Sequence, residues 1–307
     1  MLPAEGTCMN LLITGAWNAS DEQLDKIRSM GHEVMWLQQE WDELPIPYEA
    51  VEGVICNGLF LHHPIERFTS LRYIQLTSAG FDRVPMEYVR AKGIRIFNAR
   101  GVYSVPMAEF VLSSVLQIYK QSRFFAQNQA CGLWEKHRGL MELAGKRICI
   151  LGCGSVGISC AKRFSAFDCR VTGIDLAARD EVFFEKVLSL DDLDGVLPEA
   201  DVVILTLPLT EQTKHMMDQK RFALLKPGVI FVNVSRGAVV ETEALLRWLK
   251  SGTGSAVLDV FEEEPLKEDS PLWYMPNVVV TPHNSFVGDG NKQRLQHVIL
   301  ENLERYG

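Results

Sequence analysis

The chain has 307 residues, enough for two domains, and 47% of them are hydrophobic, enough for two buried cores. The formal net charge is −8 with no run or stripe of Lys and Arg, which excludes nucleic acid as an expected partner. An acidic protein that handles anions needs local cations, so single Arg residues are worth tracing.

Seven Cys stand singly at 8, 56, 131, 149, 153, 160 and 169, with no spacing for a disulfide ladder or a zinc cage, so no metal is expected. Residues 1–10 lack a basic stretch followed by an apolar core. Nor does any apolar run reach the roughly 18 residues of a membrane span. The expectation is a cytoplasmic protein without membrane contact.

Strand-like apolar runs alternate with helical stretches along the whole chain, the signal of parallel sheets with helical crossovers. A first block places strands at Leu11–Thr14, Val34–Leu37, Gly53–Cys56, Tyr73–Leu76 and Arg95–Phe97, with a helix from Asp21 to Met30 closed by Gly31. Pro106 then opens a long helix expected to reach Asn128, because a proline in the first turn gives up an N–H that has no partner there. A second block places strands at Arg147–Leu151, Val171–Ile174, Val202–Leu207, Val229–Val234, Ala256–Val260 and Val278–Val280. The segment after Asn291 is read as a last helix that returns to the first block, with Leu295, Val298, Ile299 and Leu303 on one face. Two α/β domains are expected, divided near residues 98–105.

Residues Gly152-Cys153-Gly154-Ser155-Val156-Gly157 follow the first strand of the second block and open a helix, Ser155–Ala166. The next strand ends at Asp175, 18 positions after Gly157. Gly152 permits a tight turn, Gly154 lets the backbone approach a pyrophosphate, and Gly157 lets the helix pack close to the sheet. The helix N-terminus offers free N–H groups to phosphates. Strand, turn, helix and terminal acid in register point to a dinucleotide. Asp175 suits the ribose hydroxyls and opposes a 2′-phosphate, which favours NAD over NADP, while Arg179 offsets that charge.

Ligands of open parallel sheets sit beyond the carboxyl ends of the strands. There the second block places Pro208 after one strand, Arg236 directly after Val234-Ser235, Asp259 within another strand with Glu264 beyond it, and His283 after the last. Such a set can dehydrogenate a hydroxy acid. Arg236 offers a planar fork to a carboxylate and can polarise an adjacent carbonyl. His283 can exchange the hydroxyl proton, and Glu264 can orient its ring. Taken one by one, each residue also has a bland reading as a surface charge or a structural histidine; their placement on successive strand ends raises the functional one.

With these segments in hand, the chain resembles the D-isomer-specific 2-hydroxyacid dehydrogenases over nearly its whole length. The matching segments are Leu76–Asp82, Gly101–Glu109, Glu142–Gly157, Leu207–Thr213, Leu225–Gly237, Leu258–Pro265 and Thr281–His283. The resemblance implies two doubly wound parallel-sheet domains. One is a Rossmann NAD-binding domain at 101–284; the other is a smaller, discontinuous, flavodoxin-like substrate domain at 1–100 and 285–307. It implies catalytic roles for Arg236, Glu264 and His283, and a contact of Asp259 with the nicotinamide amide. Gly152, Gly154, Ser155, Val156, Gly157, Asp175, Pro208 and Val234 complete the implied cofactor set. Backbone N–H groups around Ser78, Ala79 and Gly80 would hold the carboxylate of a small 2-keto or 2-hydroxy acid, and a homodimer is implied. Phosphoglycerate dehydrogenases carry an Arg where this chain has Asn57, so the expected substrate is not phosphorylated. Two other functions remain open on the same scaffold: a non-catalytic NAD sensor of the corepressor type, and a formate or phosphite dehydrogenase.

Overall fold

The structure, a computed structural model, describes residues 8–306. Contacts within the chain divide it into two compact units, with boundaries after Tyr103 and after Val287.

The first unit begins β1 (Asn10–Thr14), α1 (Asp21–Ser29), β2 (Glu33–Leu37), β3 (Gly53–Cys56), β4 (Tyr73–Leu76), α2 (Met86–Ala91) and β5 (Arg95–Phe97). Its five strands are all parallel, in the order β2-β1-β3-β4-β5. That is the flavodoxin-like doubly wound order. β3 and β4 are buried at every position, as apolar runs without alternation demand when both faces of a sheet are covered. α1 starts where Ser20 N donates to Gln23 Oε1, one half of a capping box.

The second unit continues with α3 (Ser104–Tyr119), α4 (Ser122–Ala130), β6 (Arg147–Leu151), α5 (Ser155–Ser165), β7 (Arg170–Asp175) and β8 (Lys186–Ser189). There follow α6 (Leu193–Val196), β9 (Val202–Leu205), α7 (Gln219–Leu224), β10 (Ile230–Asn233), α8 (Thr242–Lys250), β11 (Ser255–Leu258) and β12 (Val278–Val280). The seven strands are parallel, in the order β12-β11-β10-β9-β6-β7-β8. Connections run outward in opposite directions from β6 and β9, so the switch point lies between them. Alternate residues of the central strands feed two cores. Ile148, Ile150, Val202 and Ile204 pack with Val111, Val115 and Phe164 of α3 and α5. Cys149, Leu151, Val203 and Leu205 pack on the side that holds Phe222, Leu245 and Trp248 of α7 and α8. This period-two partition lets one strand glue helices to both faces of the sheet.

The last helix, α9 (Asn291–Tyr306), belongs to the first unit, where Leu295, Ile299, Leu300 and Leu303 join Leu11, Ile13, Ile55 and Tyr73.

Two sequence expectations fail. The single helix from Pro106 to Asn128 is two helices that start earlier, at Ser104, and break at Gln121, whose φ is +52°. The Gln121 amide donates to the Ile118 carbonyl, satisfying a helix end with a side chain instead of the next turn. Pro106 still falls in the first turn, where its missing N–H costs nothing. Also, β8 was not expected: four residues at a sheet edge carry too short a period to stand out. Elsewhere β9, β10 and β11 stop short of the expected ends, so Leu207, Val234, Asp259 and Val260 lie in the loops beyond the strands.

Candidate active site

The glycine-rich turn joins β6 to α5. Gly152 has φ +95°, and a Cβ there would lie 2.7 Å from the Leu207 backbone nitrogen. A Cβ on Gly157 would collide with the Gly152 carbonyl oxygen, which already accepts from Thr206 Oγ1 at 2.6 Å. At Gly154 the added carbon would meet no protein atom within 4 Å. The chain's own packing therefore requires the first and third glycines but not the second. Gly154 leaves room in front of the α5 N-terminus, where Ser155 and Val156 form the first turn and no side chain caps the N–H groups. A ligand with phosphate oxygens fits that room. Beside it lies a cavity of about 380 Å³ whose lining includes Gly152, Asp175, Leu176, Leu207, Pro208 and Thr210. Largely apolar walls, with the acids Asp175 and Glu211 in the lining, suit an adenosine.

Asp175, at the end of β7, already has three donors. Oδ1 accepts from Leu176 N at 2.8 Å; Oδ2 accepts from Cys153 N at 3.2 Å and from Arg179 Nη1 at 2.8 Å. Arg179 Nη2 also donates to the Cys153 carbonyl at 2.8 Å. The Cys153 thiol is buried under this turn, and burial pushes its pKa up to about 12. It is a packing group, not a nucleophile.

Arg236 sits at the carboxyl end of β10 on a turn built by Asn233. The Asn233 Oδ1 accepts from Ser235 N and Oγ at 3.0 and 2.8 Å, and its Nδ2 donates to the Arg236 carbonyl at 3.1 Å. Arg236 Nη1 donates to the Ser235 carbonyl at 2.8 Å. The next residue has no room for a side chain: a Cβ on Gly237 would collide with the Phe261 backbone. The Arg236 turn thus lies flat on the turn that carries Glu264. There, Glu264 Oε1 accepts from Phe261 N at 3.0 Å, and Oε2 lies 2.8 Å from His283 Nδ1. A carboxylate can only accept, so Nδ1 carries a proton. Nε2 has no partner among the described residues and is the nitrogen left to meet a ligand. His283 has φ +50°, a conformation His tolerates at modest cost. His283, Glu264 and the Arg236 turn are therefore brought together within one unit.

Asp259 is fully buried behind this loop. Its Oδ1 accepts from Thr281 Oγ1 at 2.6 Å and Asn284 N at 2.8 Å, and its Oδ2 from Ser285 N at 3.0 Å. His283 N donates to the Asp259 carbonyl at 2.8 Å. The whole turn bearing His283 wraps around this residue. Val234 is 2% exposed in the core, so only its backbone can face a ligand.

Sequence reasoning missed a brace between these turns. Glu262 accepts from Thr242 N at 3.1 Å and from Thr242 Oγ1, and lies 2.5 Å from His215 Nε2. His215 N in turn donates to the Ala238 carbonyl at 2.8 Å. Burial works to raise the Glu262 pKa, but these hydrogen bonds and the imidazole outweigh it and hold the carboxyl below its usual value. Glu263 faces outward and pairs with Lys267 at 2.8 Å. No pattern in a run of three acids tells these roles apart; the only cue was the proline after Glu264.

In the first unit, the turn after β4 holds Ser78, Ala79 and Gly80. Ala99 N donates to the Ser78 carbonyl at 2.9 Å, Asn98 Nδ2 to the Ala79 carbonyl at 2.6 Å, and Ser78 Oγ to the Gly80 carbonyl at 3.2 Å. The N–H groups of Ala79 and Gly80 have no acceptor among the described residues. One strand over, the Asn57 and Gly58 N–H groups donate, both at 2.6 Å, to the carboxylate of Glu40. One pair of amides is open to an anion and the neighbouring pair is filled by the chain's own acid. Among the described residues no cluster of His, Cys, Asp or Glu is placed to hold a metal, and no helix is long and apolar enough to cross a membrane.

Comparison with known proteins gives the following. The family model for the NAD binding domain of D-isomer specific 2-hydroxyacid dehydrogenases matches residues 112–285. A glyoxylate reductase of Korarchaeum cryptofilum is 31% identical over 295 residues, covering 91% of this chain and 88% of that protein. A crystal structure of a D-isomer specific 2-hydroxyacid dehydrogenase family protein from Aeromonas salmonicida superposes with a TM-score of 0.84 at 29% identity, covering 97% of this chain and 95% of that one. A D-isomer specific 2-hydroxyacid dehydrogenase from Xanthobacter autotrophicus, solved with NADPH and MES, gives 0.77 at 29% identity, covering 97% and 94%.

Proposed function

The chain belongs to the D-isomer specific 2-hydroxyacid dehydrogenase family, oxidoreductases that use NAD(P), and from that premise we propose that it interconverts a small, non-phosphorylated D-2-hydroxy acid and its 2-keto acid, with NAD(H) preferred to NADP(H). The observation that carries the reading is the 2.8 Å contact of His283 Nδ1 with Glu264, which leaves Nε2 open on a turn braced against that of Arg236.

The second unit, with the glycine-rich turn, is assigned to the cofactor; the first, with its open amides, to the substrate. Bound at the turn, the nicotinamide supplies or accepts the hydride. Gly152, Gly154, Ser155, Val156 and Gly157 would face the pyrophosphate with backbone, and Asp175 and Pro208 the adenosine. The Val234 backbone is assigned to the cofactor as well. The planar fork of Arg236 pairs with the substrate carboxylate and polarises the C2 carbonyl. During reduction the proton leaves His283 Nε2 for the carbonyl oxygen as C2 becomes a hydroxyl-bearing carbon; oxidation returns it. Glu264 holds the ring by accepting from Nδ1. The N–H groups of Ala79 and Gly80 are assigned to the substrate carboxylate, with Ser78 shaping their turn. Asp259 is assigned to hold the His283 turn with three of its acceptor directions and to meet the nicotinamide amide with the remaining one.

The lack of a phosphate on the substrate is supported by Glu40. A phosphate reaching Asn57 and Gly58 would meet a carboxylate where a phosphate site needs donors. The working form is proposed to be a homodimer. Trp134 is 97% exposed, and Leu133, Leu140 and Met141 are exposed in the same segment after α4, apolar side chains that a second copy would cover.

A panel of 2-keto acids with NADH tests the function. Turnover of glyoxylate, hydroxypyruvate or simple branched keto acids to the D product is expected, exceeding that with 3-phosphoglycerate in the reverse direction. Preference for the phosphorylated acid would overturn the substrate class, and tight NADH binding without turnover of any acid would overturn catalysis.

A further inference from the structure

Every carbonyl from Leu76 to Gly80, at the end of β4 and in the turn after it, is held by a donor from outside the strand ladder. Gln75 Nε2 donates to the Leu76 carbonyl at 2.8 Å and the Tyr103 hydroxyl to the Thr77 carbonyl. Ala99 N, Asn98 Nδ2 and Ser78 Oγ serve the next three in turn. The N–H groups of the same stretch divide differently. That of Thr77 is spent on the Cys56 carbonyl, whereas those of Ser78, Ala79 and Gly80 have no acceptor among the described residues. In a trans peptide the C=O and N–H point in opposite directions, so a donor fixed on one carbonyl aims the N–H of the following residue. Ala99 therefore aims the Ala79 N–H, Asn98 that of Gly80, and Tyr103 that of Ser78. Successive amides held in this way make a seat for an anion.

We propose that Tyr103 is a positioning residue for the substrate: its hydroxyl fixes the Thr77–Ser78 peptide and makes the Ser78 N–H a third donor to the substrate carboxylate. The proposal rests on the reading of this turn as the carboxylate seat. Thr77 is buried, so its carbonyl needs a donor from within the chain. The Tyr103 ring packs against the core that holds Ile13, Tyr73 and Leu295, and the residue before it is tied to α9, where Arg294 Nε donates to the Val102 carbonyl at 2.7 Å. Burial pushes the Tyr103 pKa up, so the hydroxyl keeps its proton and remains a donor. Without that donor the Thr77 carbonyl has to turn to another, and the Ser78 N–H turns with it. The Gln75 link has a different task. Gln75 is fully buried in β4 and bonded at both ends, its Oε1 accepting from Asn302 Nδ2 of α9 at 2.8 Å. It fixes the Leu76–Thr77 peptide, whose N–H is already spent on Cys56, so it steadies the fold without aiming an amide of the seat.

Tyr103→Phe removes the donor and keeps the ring. The readouts are KM and kcat for glyoxylate at saturating NADH, the NADH dissociation constant, the melting temperature, and the dissociation constant of oxamate from the NADH-loaded chain by calorimetry. Oxamate carries the carboxylate and carbonyl of a 2-keto acid but accepts no hydride. In Tyr103→Phe, KM and the oxamate constant should both rise about fivefold, the scale of one lost hydrogen bond. Neither kcat nor NADH binding should move by more than about twofold. Asn302→Ala is the structural control, expected to lower the melting temperature while KM and oxamate binding stay within about twofold. Unchanged oxamate binding in Tyr103→Phe overturns the proposal. An equal loss of oxamate in Asn302→Ala overturns it too, because Tyr103 would then be one brace among several. A wild type that binds oxamate but reduces no 2-keto acid brings down the proposed catalysis alone, since the oxamate comparison still decides the role of Tyr103. A wild type that binds no oxamate removes the carboxylate seat and this proposal with it.

Discussion

The carboxyl edges of the two sheets are built on opposite principles. At the edge of the seven-stranded sheet, the proposed chemistry falls to side chains: Arg236, Glu264 and His283, each on a turn locked by a buried or backbone partner. At the edge of the five-stranded sheet the candidate anion site is two backbone N–H groups, those of Ala79 and Gly80, and the nearby side chains only shape the turn. A hydride acceptor needs a proton donor of fixed identity, which only a side chain supplies. A carboxylate needs only directed N–H groups, which almost any sequence can present if the turn is right. Substitutions should therefore be costly in residue type at one edge and costly in turn geometry at the other.

The comparison breaks most visibly at His283. With His283 assigned as the proton donor of the site, His283→Ala should lower kcat by about 10² or more. Binding of NADH, measured by fluorescence, should change little. A kcat within a few-fold of wild type would remove the histidine from the proton-transfer role, and with it the idea that this edge works through side chains.

The glycines sharpen the contrast within the second unit. Gly154→Ala places a methyl where no protein atom lies within 4 Å, so the melting temperature should stay within a degree or two while NADH affinity falls about tenfold. Gly157→Ala drives a methyl into the Gly152 carbonyl and should lower the melting temperature by several degrees. Equal losses of stability would mean that Gly154 serves packing after all. This pair also shows how far a sequence can be read. The spacing from Gly152 to Asp175 revealed strand, turn, helix and acid, because each glycine answers a steric demand tied to that register. It could not divide the glycines by purpose, since that depends on Leu207 and Thr206, about 50 positions away.

The acids at 262–264 teach the same limit from the other side. Three adjacent glutamates do three jobs: Glu262 braces His215 and Thr242, Glu263 meets Lys267 at the surface, and Glu264 holds His283. The chain order of the segments was legible, but which carboxylate turns toward which neighbour is decided by the path of the turn after β11. Likewise the break at Gln121 left no mark, because neither Gly nor Pro signals it. Glu262→Gln should lower kcat about tenfold or less by loosening the turns of Glu264 and Arg236, whereas Glu263→Gln should leave it unchanged. The pH dependence separates bracing from general stability. Because the Glu262 pKa is held down in the fold, its contribution is present above the unfolded carboxylate value, about 4.3, and is lost as pH falls through its lower folded value. The Glu262→Gln variant should therefore show a flatter fall of melting temperature on acidification below about pH 4.3. An unchanged acid limb, with unchanged kcat, would reduce the contact to a surface pair.

The smallest effects are expected at the edge that works through backbone. Ser78 Oγ makes one long contact, 3.2 Å, to the Gly80 carbonyl, so Ser78→Ala should change the KM for the keto acid by less than about threefold. Asn98 matters more although it would touch no substrate: its amide fixes the Ala79 carbonyl at 2.6 Å and so sets the direction of the Ala79–Gly80 amide pair. Loss of one such hydrogen bond is worth about 1 kcal/mol, so Asn98→Ala should raise the keto-acid KM about fivefold. Because the proton donor and the nucleotide turn are untouched, kcat and the NADH dissociation constant should hold. If Ser78→Ala instead proves the more damaging of the two, the hydroxyl itself contacts the substrate, and the division between a side-chain edge and a backbone edge fails.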